Sequence, residues 1–166
     1  SGETFSDGEF HNLGVGADSQ GNLPPSEAGR FARLLLGHKN PQLYGAFKTP
    51  GLRGLLHTAP YMHTGTEKTL EEVIDFYDRG GNVNPFLSEK MRDTAAELAY
   101  LKARAAGAAV DPQVKTFGPA RRPVIPLQLR LTPQEKADLV LFLKALNGDP
   151  LDPLIADPNR FPQVKW

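Results

Sequence analysis

The sequence predicts a mainly α-helical domain whose helices are joined by long apolar loops wrapped around a bound group. Apolar residues recur at helical spacing in three segments, near 70–79, 87–104 and 132–147. The stretch 39–68 is interrupted by prolines and glycines, yet it is rich in apolar and aromatic side chains. A loop of that composition needs an apolar surface to pack against, and a large flat cofactor would provide one.

The composition fits one domain and excludes several classes of partner. The chain has 166 residues, which fits one domain over residues 1–150 and a surface tail over 151–166. Lysine plus arginine and aspartate plus glutamate both total 19, so no net charge attracts nucleic acid or an anionic membrane. No apolar run approaches the roughly 20 residues of a membrane span. There are 0 cysteines, which excludes disulfides, thiolate metal sites and covalent haem attachment within these residues.

The first part of the chain is predicted to be ordered loop followed by one short helix. Residues 1–25 show no sustained period, and we expect a loop there. A helix is expected from Ser26 to Gly37, because Ser26 can cap its start and Gly37 can end it. Its apolar positions Phe31 and Leu34, with the two leucines that follow, cluster on one side.

A second helix is expected to begin at Thr69 and to end near Arg79. Thr69-Leu70-Glu71-Glu72 has the form of a capping box, in which the hydroxyl and the carboxylate satisfy each other's backbone N–H groups. Four side chains then follow at helical spacing, which predicts that they form one interior-facing stripe: Leu70, Val73, Ile74 and Tyr77.

Two further helices are predicted towards the end of the chain. One runs from Leu87 to about Arg104, with its apolar stripe starting at Leu87 and Met91. The other begins at a capping box with proline at its first helical position, Thr132-Pro133-Gln134-Glu135, and ends at Asn147-Gly148. Between them, 107–130 is expected to be loop, because Val124-Ile125 is too short and too closely bounded by proline for a sheet.

Four blocks of sequence, in this order and spacing, resemble the C-terminal, peroxidatic haem domain of the bacterial di-haem cytochrome c peroxidase and MauG family. The resemblance covers nearly all of the chain except the tail and residues 86–125, which look like an insertion carrying an extra helix. It implies a cytochrome c-like helical fold. The blocks are FHNLGVG (10–16), FKTPGLRGLLHTAPYMHTG (47–65), TLEEVIDFYDRGG (69–81) and LTPQEKADLVLFLKALNGDP (131–150).

The resemblance also implies how haem c would be attached. In the family a Cys-x-x-Cys-His motif lies immediately before a stretch like Ser1–Asp7, so the haem-anchoring peptide is expected outside this chain. The chain alone is therefore expected to be incomplete and inactive. Its expected partners are an N-terminal haem domain or a segment that carries this motif.

Tyr77 occupies the position of the family's distal haem ligand, which is methionine in the peroxidases and tyrosine in MauG-like members. A phenolate is a hard anionic donor that stabilises oxidised iron. Met62, in the PYMH loop, is the alternative ligand. Without the resemblance, a tyrosine packed in a helix stripe and a packed methionine are the commoner interpretations.

The loop around residues 47–63 is expected to supply further haem contacts. His63 resembles a family histidine near the peroxidatic haem, although a lone histidine is usually a hydrogen-bonded loop residue. Arg53 is expected near a haem propionate, assisted by Lys48, since a guanidinium remains charged when partly buried. Apolar neighbours such as Phe47 favour that partial burial and a place beside the cofactor.

Weaker expectations concern other ligands. The backbone carbonyls of Thr58 and Pro60 match positions that help to bind calcium between the two haem domains of relatives. His11 would be the first replacement ligand to test if haem bound without covalent attachment. His38 and His57 have weaker claims.

The resemblance implies an oxidoreductase that uses two c-type haems, one receiving electrons and one meeting hydrogen peroxide. Tyr77 favours the MauG-like branch, with a protein or organic substrate and a small redox protein as possible partners. Attachment of haem c takes place outside the cytoplasm, so a periplasmic location is expected. The alternatives are a non-enzymatic electron-transfer module, favoured by ligation through Met62, and a haem-free structural or interaction domain.

Overall fold

The computed structural model describes residues 5–34 and 40–148, and within them the architecture is mainly helical, as predicted. Long connections with short 3-10 turns join three α-helices: α1 (Leu70–Asp78), α2 (Thr94–Ala105) and α3 (Pro133–Ala145). The tail over 151–166 lies outside the described residues. No helix in the described ranges has both the length and the apolar character that crossing a bilayer requires.

Helices α1 and α3 form the main helical pair, and both begin as predicted. Thr69 accepts from the backbone N–H of Glu72, and Thr132 does the same for Glu135, in two complete capping boxes. The helices pack through a cluster of three buried side chains, Leu70, Ile74 and Val140. Half-buried residues surround that cluster: Leu55, Tyr61, Leu131 and Leu143.

The predicted interior stripe of α1 is wrong at its last position. Leu70 and Ile74 are buried, but Phe76 is only 1% exposed whereas Tyr77 is 39% exposed. Phe76 points inward on a second side of the helix, with the Arg79 guanidinium 4.8 Å from the centre of its ring. Helix α1 buries side chains on two faces rather than along one stripe. The spacing of its apolar residues therefore does not show that Tyr77 is exposed and Phe76 buried.

The helix predicted from Leu87 is shorter than expected. Leu87 and Met91 are buried, but they belong to a turn and a 3-10 segment, and α2 starts at Thr94 with Asp93 as its N-cap. Leu98 is 52% exposed, so the apolar stripe does not continue along α2. The residue that α2 buries is Glu97, which Arg92 pairs from the extended segment before the helix.

The prediction of a helix from Ser26 is also wrong within the described residues. Two 3-10 turns, Pro25–Glu27 and Arg30–Arg33, replace it. Gly29 separates them at a φ of 56°, and it forms a parallel bridge with Ala46 that a regular helix would not allow. The expected end at Gly37 lies outside the described residues.

In the part of the chain that the structure describes, four two-residue strands hold the connections in place. Strand β1 (Phe10–His11) pairs antiparallel with β2 (Phe47–Lys48), which joins the N-terminal loop to the long apolar loop. Strand β3 (Thr116–Phe117) pairs with β4 (Arg122–Pro123). This ladder ends at Pro123, and Val124 packs with Leu87 and Met91 in a second buried cluster.

Candidate functional site

The C-terminal half of α1 carries Tyr77, which is 39% exposed as a whole residue. Burial of part of the side chain raises the pKa of Tyr77 above its ordinary value, and the negative charge of Asp7 raises it further. Tyr77 is therefore a neutral phenol that is only partly open to solvent.

The N-terminal segment and α3 bring two further exposed aromatic rings together. Phe5 and Phe142 meet edge to face, with their ring centres 6.3 Å apart. On the other side of this contact, the Arg53 guanidinium lies 5.3 Å from the Phe5 ring centre. Phe5 is 40% exposed and Phe142 is 48% exposed.

Exposed apolar side chains are unusually frequent on α3 and near α1. Leu139 and Phe142 lie three residues apart and share a face of α3. Apolar area left open on a helix of this kind commonly marks a binding surface. The other large apolar side chains that stand open on this and the neighbouring segments are Leu56, Leu127, Leu129 and Leu141.

A charged cluster includes Asp7, the carboxylate whose charge acts on Tyr77. His11 Nε2 lies 2.8 Å from Asp7 Oδ2, and Lys90 Nζ lies 3.1 Å from both the Asp7 and the Glu9 carboxylates. The hydrogen bond with His11 is the largest cause that lowers the pKa of Asp7 well below its usual range. His11 Nδ1 is 3.2 Å from Ser88 Oγ, so both ring nitrogens have partners in this structure, and the role of His11 as a replacement ligand remains a prediction.

His63 is held in the loop by two contacts. Its Nε2 lies 2.6 Å from Glu27 Oε2, and its ring stacks on Phe47 with centres 3.6 Å apart. The adjacent Met62 is half-buried and has a left-handed backbone with a φ of 62°. Their roles as haem contacts remain predictions, and the geometry accounts for His63 as a hydrogen-bonded loop residue.

The predicted partial burial of Arg53 is wrong, because the residue is exposed; its place near a haem propionate remains a prediction. Lys48 is also exposed, with its Nζ 3.4 Å from the carbonyl of Thr49. His57 Nε2 is 3.1 Å from Asn147 Nδ2, which ties this loop to the end of α3. His38 lies outside the described residues.

The candidate calcium positions lie on the surface. Thr58 and Pro60 are exposed, and Thr58 Oγ1 donates to the carbonyl of Leu55. Among residues 5–34 and 40–148, the metal-type cluster of histidine and carboxylates is Asp7-Glu9-His11, and it does not include this loop. Calcium ligation by the two carbonyls therefore remains a prediction.

Sequence reasoning did not single out Phe5, Asp7 or Phe142. Phe142 lies at a position with the helical spacing of apolar residues in α3, and only its exposure shows that it is available for binding. Phe5 and Asp7 lie in an irregular segment without a periodic signal. The one sequence signal was their position directly after the expected haem-binding motif.

Comparison with known proteins shows similarity to peroxidases and MauG proteins. The chain is 34% identical to a cytochrome-c peroxidase of Pseudomonas sp. strain SCT, over 75% of this chain and 23% of the relative. It is 31% identical to a cytochrome-c peroxidase of Denitromonas iodatirespirans, over 96% of this chain and 39% of the relative. It is 37% identical to the methylamine utilization protein MauG of Methylorubrum extorquens, over 61% of this chain and 29% of the relative.

A solved structure is similar as well. The crystal structure of a MauG-like protein associated with microbial copper homeostasis matches with a TM-score of 0.51 and 33% identity, covering 91% of this chain and 37% of that one. No family model matches the chain. The chain spans about a quarter to two fifths of the length of these relatives.

These similarities place the chain in the class of haem-dependent, peroxidase-like oxidoreductases. Within that class, it belongs to the di-haem cytochrome c peroxidase and MauG family.

The described residues include side chains of the kinds that hold a haem, and the chain lacks the covalent anchor of haem c. Tyr77 offers a phenol oxygen, Phe5 and Phe142 offer exposed apolar rings, and Arg53 offers a cation beside them. A porphyrin needs this combination of apolar area and charge around its edge. With no cysteine in the chain, the thioether bonds of haem c would come from outside it.

Proposed function

We propose that this chain is a cytochrome c-like haem domain of a di-haem oxidoreductase that reacts with hydrogen peroxide. Two observations carry the proposal in a chain from this family: Tyr77 is partly exposed and feels the charge of Asp7, and the exposed rings of Phe5 and Phe142 contact each other with the Arg53 guanidinium beside Phe5. Residues 1–150 form the domain, with 86–125 as an insertion that contains α2. The proposed location of the whole protein is the periplasm.

In this proposal Tyr77 binds the haem iron, Phe5 and Phe142 pack on the porphyrin, and Arg53 pairs with a propionate. The haem supplies one-electron chemistry and reaction with peroxide. The chain's own residues bind it, orient it and exclude water. Met62 is the alternative ligand, while Lys48, Phe47 and His63 are further proposed contacts of the haem edge.

Ligation through Tyr77 requires its phenol to lose a proton, and the surroundings of the phenol oppose that loss. Burial and the charge of Asp7 both raise the pKa of Tyr77, so the free phenol holds its proton at neutral pH. A ferric ion provides the positive charge that reverses this preference. Asp7 stays ionised because its pKa is low. Its negative charge opposes a phenolate on Tyr77, so the phenolate forms only when the metal is bound.

A second candidate function is electron transfer without reaction at this haem. Ligation through Met62 would favour it, because methionine together with histidine holds the haem iron of electron-transfer cytochromes c. The electron donor is proposed to be a small redox protein, and the substrate a protein or organic molecule. Calcium bound by the Thr58 and Pro60 carbonyls would join the two domains.

The test uses the complete protein, with its haem-binding motif and haem c. Tyr77→Phe should change the ferric absorption and EPR spectra, whereas Met62→Ala and the control Tyr100→Phe should leave them unchanged. A spectrum that responds to Met62→Ala and not to Tyr77→Phe would overturn the assignment of the ligand. Mixing with peroxide in a stopped-flow spectrometer should give oxidised haem species, and a protein that never forms them and turns over no donor is not a peroxidase.

A further inference from the structure

A groove of about 590 Å³ lies between the Arg30–Arg33 turn and β2, and its charge is unusual for this chain. Arg30, Arg33 and Lys48 line it, and no lining residue is acidic. The chain as a whole has no net charge, with 19 basic and 19 acidic residues. Three cations around one concave surface therefore concentrate positive potential at that point.

We propose that this groove binds a small multivalent anion that carries carboxylate or phosphate groups. Guanidinium groups bind such oxyanions with two parallel hydrogen bonds, and a lysine adds a point charge. The volume is that of a small-molecule site and not of a protein interface. Phe10, Phe47 and Ala46 supply an apolar part of the lining, which suits a ligand with a short carbon skeleton.

The acidic residues next to the lining residues in sequence already have other partners. Glu27 follows Ser26 of the lining, but its Oε2 lies 2.6 Å from His63 Nε2. Glu9 precedes Phe10 of the lining, but its carboxylate lies 3.1 Å from Lys90 Nζ. Within the described residues, neither Arg30 nor Arg33 forms an ion pair with a carboxylate.

The backbone that carries the two arginines is firmly held. Arg30 N–H donates to the Ala46 carbonyl at 2.7 Å, and Gly29 forms a bridge with Ala46. Between the two arginines, the Phe31 ring packs on Tyr44 with centres 5.4 Å apart. The Arg30 guanidinium lies 4.9 Å from the centre of the Phe10 ring, which fixes its direction without neutralising its charge.

Tyr77 does not line the groove, whereas Phe47 and Lys48, two of the proposed contacts of the haem edge, do. Phe10 and Lys48 are cross-strand partners, so their side chains share one face of the β1–β2 pair. His11, the next residue along β1, lies on the other face, where it contacts Asp7. The charge of Asp7 is the one that acts on Tyr77.

Isothermal titration of the full haem-loaded protein with inorganic phosphate and with citrate tests the proposal. We expect saturable 1:1 binding of at least one of them, weakened at least tenfold by Arg30→Gln with Arg33→Gln and weakened by added salt. The matched control is Lys102→Gln, an exposed cation on α2, which should bind as the unchanged protein does. A preference for citrate over phosphate would assign the ligand to the carboxylates, and the reverse preference to the phosphates.

Several results would overturn the proposal. One is no saturable binding of either anion, and another is equal loss in the Lys102→Gln control. Binding seen only in haem-free protein would mean that the haem propionates are the anions of this groove. Binding of polyglutamate alone would assign the groove to an acidic protein segment. The double variant is checked by circular dichroism, and Arg33→Gln alone provides a milder change if the double variant is unfolded.

Discussion

Asn12 and Asn84 bind each other through both ends of their side-chain amides. Asn12 Nδ2 donates to Asn84 Oδ1 at 3.1 Å, and Asn84 Nδ2 donates to Asn12 Oδ1 at 3.0 Å. Both residues are buried, at 2% and 0% exposure. Both amides also form hydrogen bonds with the backbone. Asn12 Nδ2 donates to the Tyr44 carbonyl, and the Phe86 N–H donates to Asn84 Oδ1. This pair fixes the N-terminal loop against the segment that follows α1.

Asn84→Ala should destabilise the protein by about 2–3 kcal/mol, because it leaves the Phe86 N–H and part of the Asn12 amide buried without partners. Urea unfolding followed by circular dichroism measures the change. Gln113→Ala, on an exposed turn, is the control and should shift the free energy of unfolding by less than about 0.5 kcal/mol. Equal stability of the two variants would mean that the amide pair contributes nothing to the fold.

Gly14→Ala should cost more stability than Gly8→Ala, although both glycines have a left-handed backbone. The φ values are 77° and 70°, so the conformational cost of alanine is similar, about 1–2 kcal/mol. A Cβ at Gly14 would collide with the Asn82 carbonyl, whereas a Cβ at Gly8 meets nothing within 4 Å. We expect the clash to add about 1–3 kcal/mol for Gly14→Ala, and thermal or urea unfolding of both variants would show it. Similar losses for the two variants would contradict the close packing of these segments.

The ion pair between Arg92 and Glu97 should stabilise the start of α2. Arg92 Nε lies 2.8 Å from Glu97 Oε1, and the pKa of Arg92 is raised by this hydrogen bond. Arg92→Ala leaves a carboxylate that is 7% exposed without its cation, so we expect a loss of about 3 kcal/mol. Lys90→Ala, which removes an exposed cation, should cost less than about 1 kcal/mol.

A double-mutant cycle with Glu97→Ala and Arg92→Ala distinguishes pairing from packing. The double variant should be more stable than the sum of the two single losses predicts, because neither charge is then left alone. Strictly additive losses would show that the two side chains act independently.

Asp78 should make stability depend on pH in the acid range. Its pKa is lowered, first by the hydrogen bond from Lys136 and then by the one from the Leu131 N–H. A carboxylate whose pKa is lower in the folded chain stabilises the fold fully at pH values above its pKa in the unfolded chain, about 3.9. That stabilisation is lost as the pH falls through its pKa in the folded chain. Asp78→Asn should therefore be less stable than the unchanged protein at pH 7, with a smaller difference at pH 3.

Urea unfolding at the two pH values measures the effect of Asp78→Asn. Asp138→Asn, on the exposed side of α3, is the control. A difference for Asp78→Asn that is constant from pH 7 to pH 3 would contradict the role of the charged form.

Phe142→Ser should weaken haem retention while leaving the fold stable. Its ring is 48% exposed, so little buried area is lost in the haem-free chain. Leu98→Ser, at a position 52% exposed on α2, is the matched control for an exposed apolar side chain away from Phe5. In the complete protein, the haem absorption band of Phe142→Ser should lose intensity or shift, and that of Leu98→Ser should not. A large decrease in the free energy of unfolding of haem-free Phe142→Ser would contradict this prediction, because it would show that the ring belongs to the core.

Several features could be predicted because they depend on residues close together in the chain. The capping boxes at Thr69 and Thr132 determine where α1 and α3 begin, and the helix ends agree to within a few residues. The family could be recognised because its blocks are continuous stretches of sequence. The Ser26–Gly37 helix failed for a non-local reason, the bridge between Gly29 and Ala46.

The sequence by itself determined the helical class, the start of α1 and α3, and membership of a haem-protein family. The tertiary structure decided that Phe76 is buried and Tyr77 accessible, that Asn12 meets Asn84, and that three cations share one groove. The physical reason is separation along the chain. The Asn12–Asn84 contact joins residues 72 positions apart, and whether a side chain is buried depends on which distant segment packs over it.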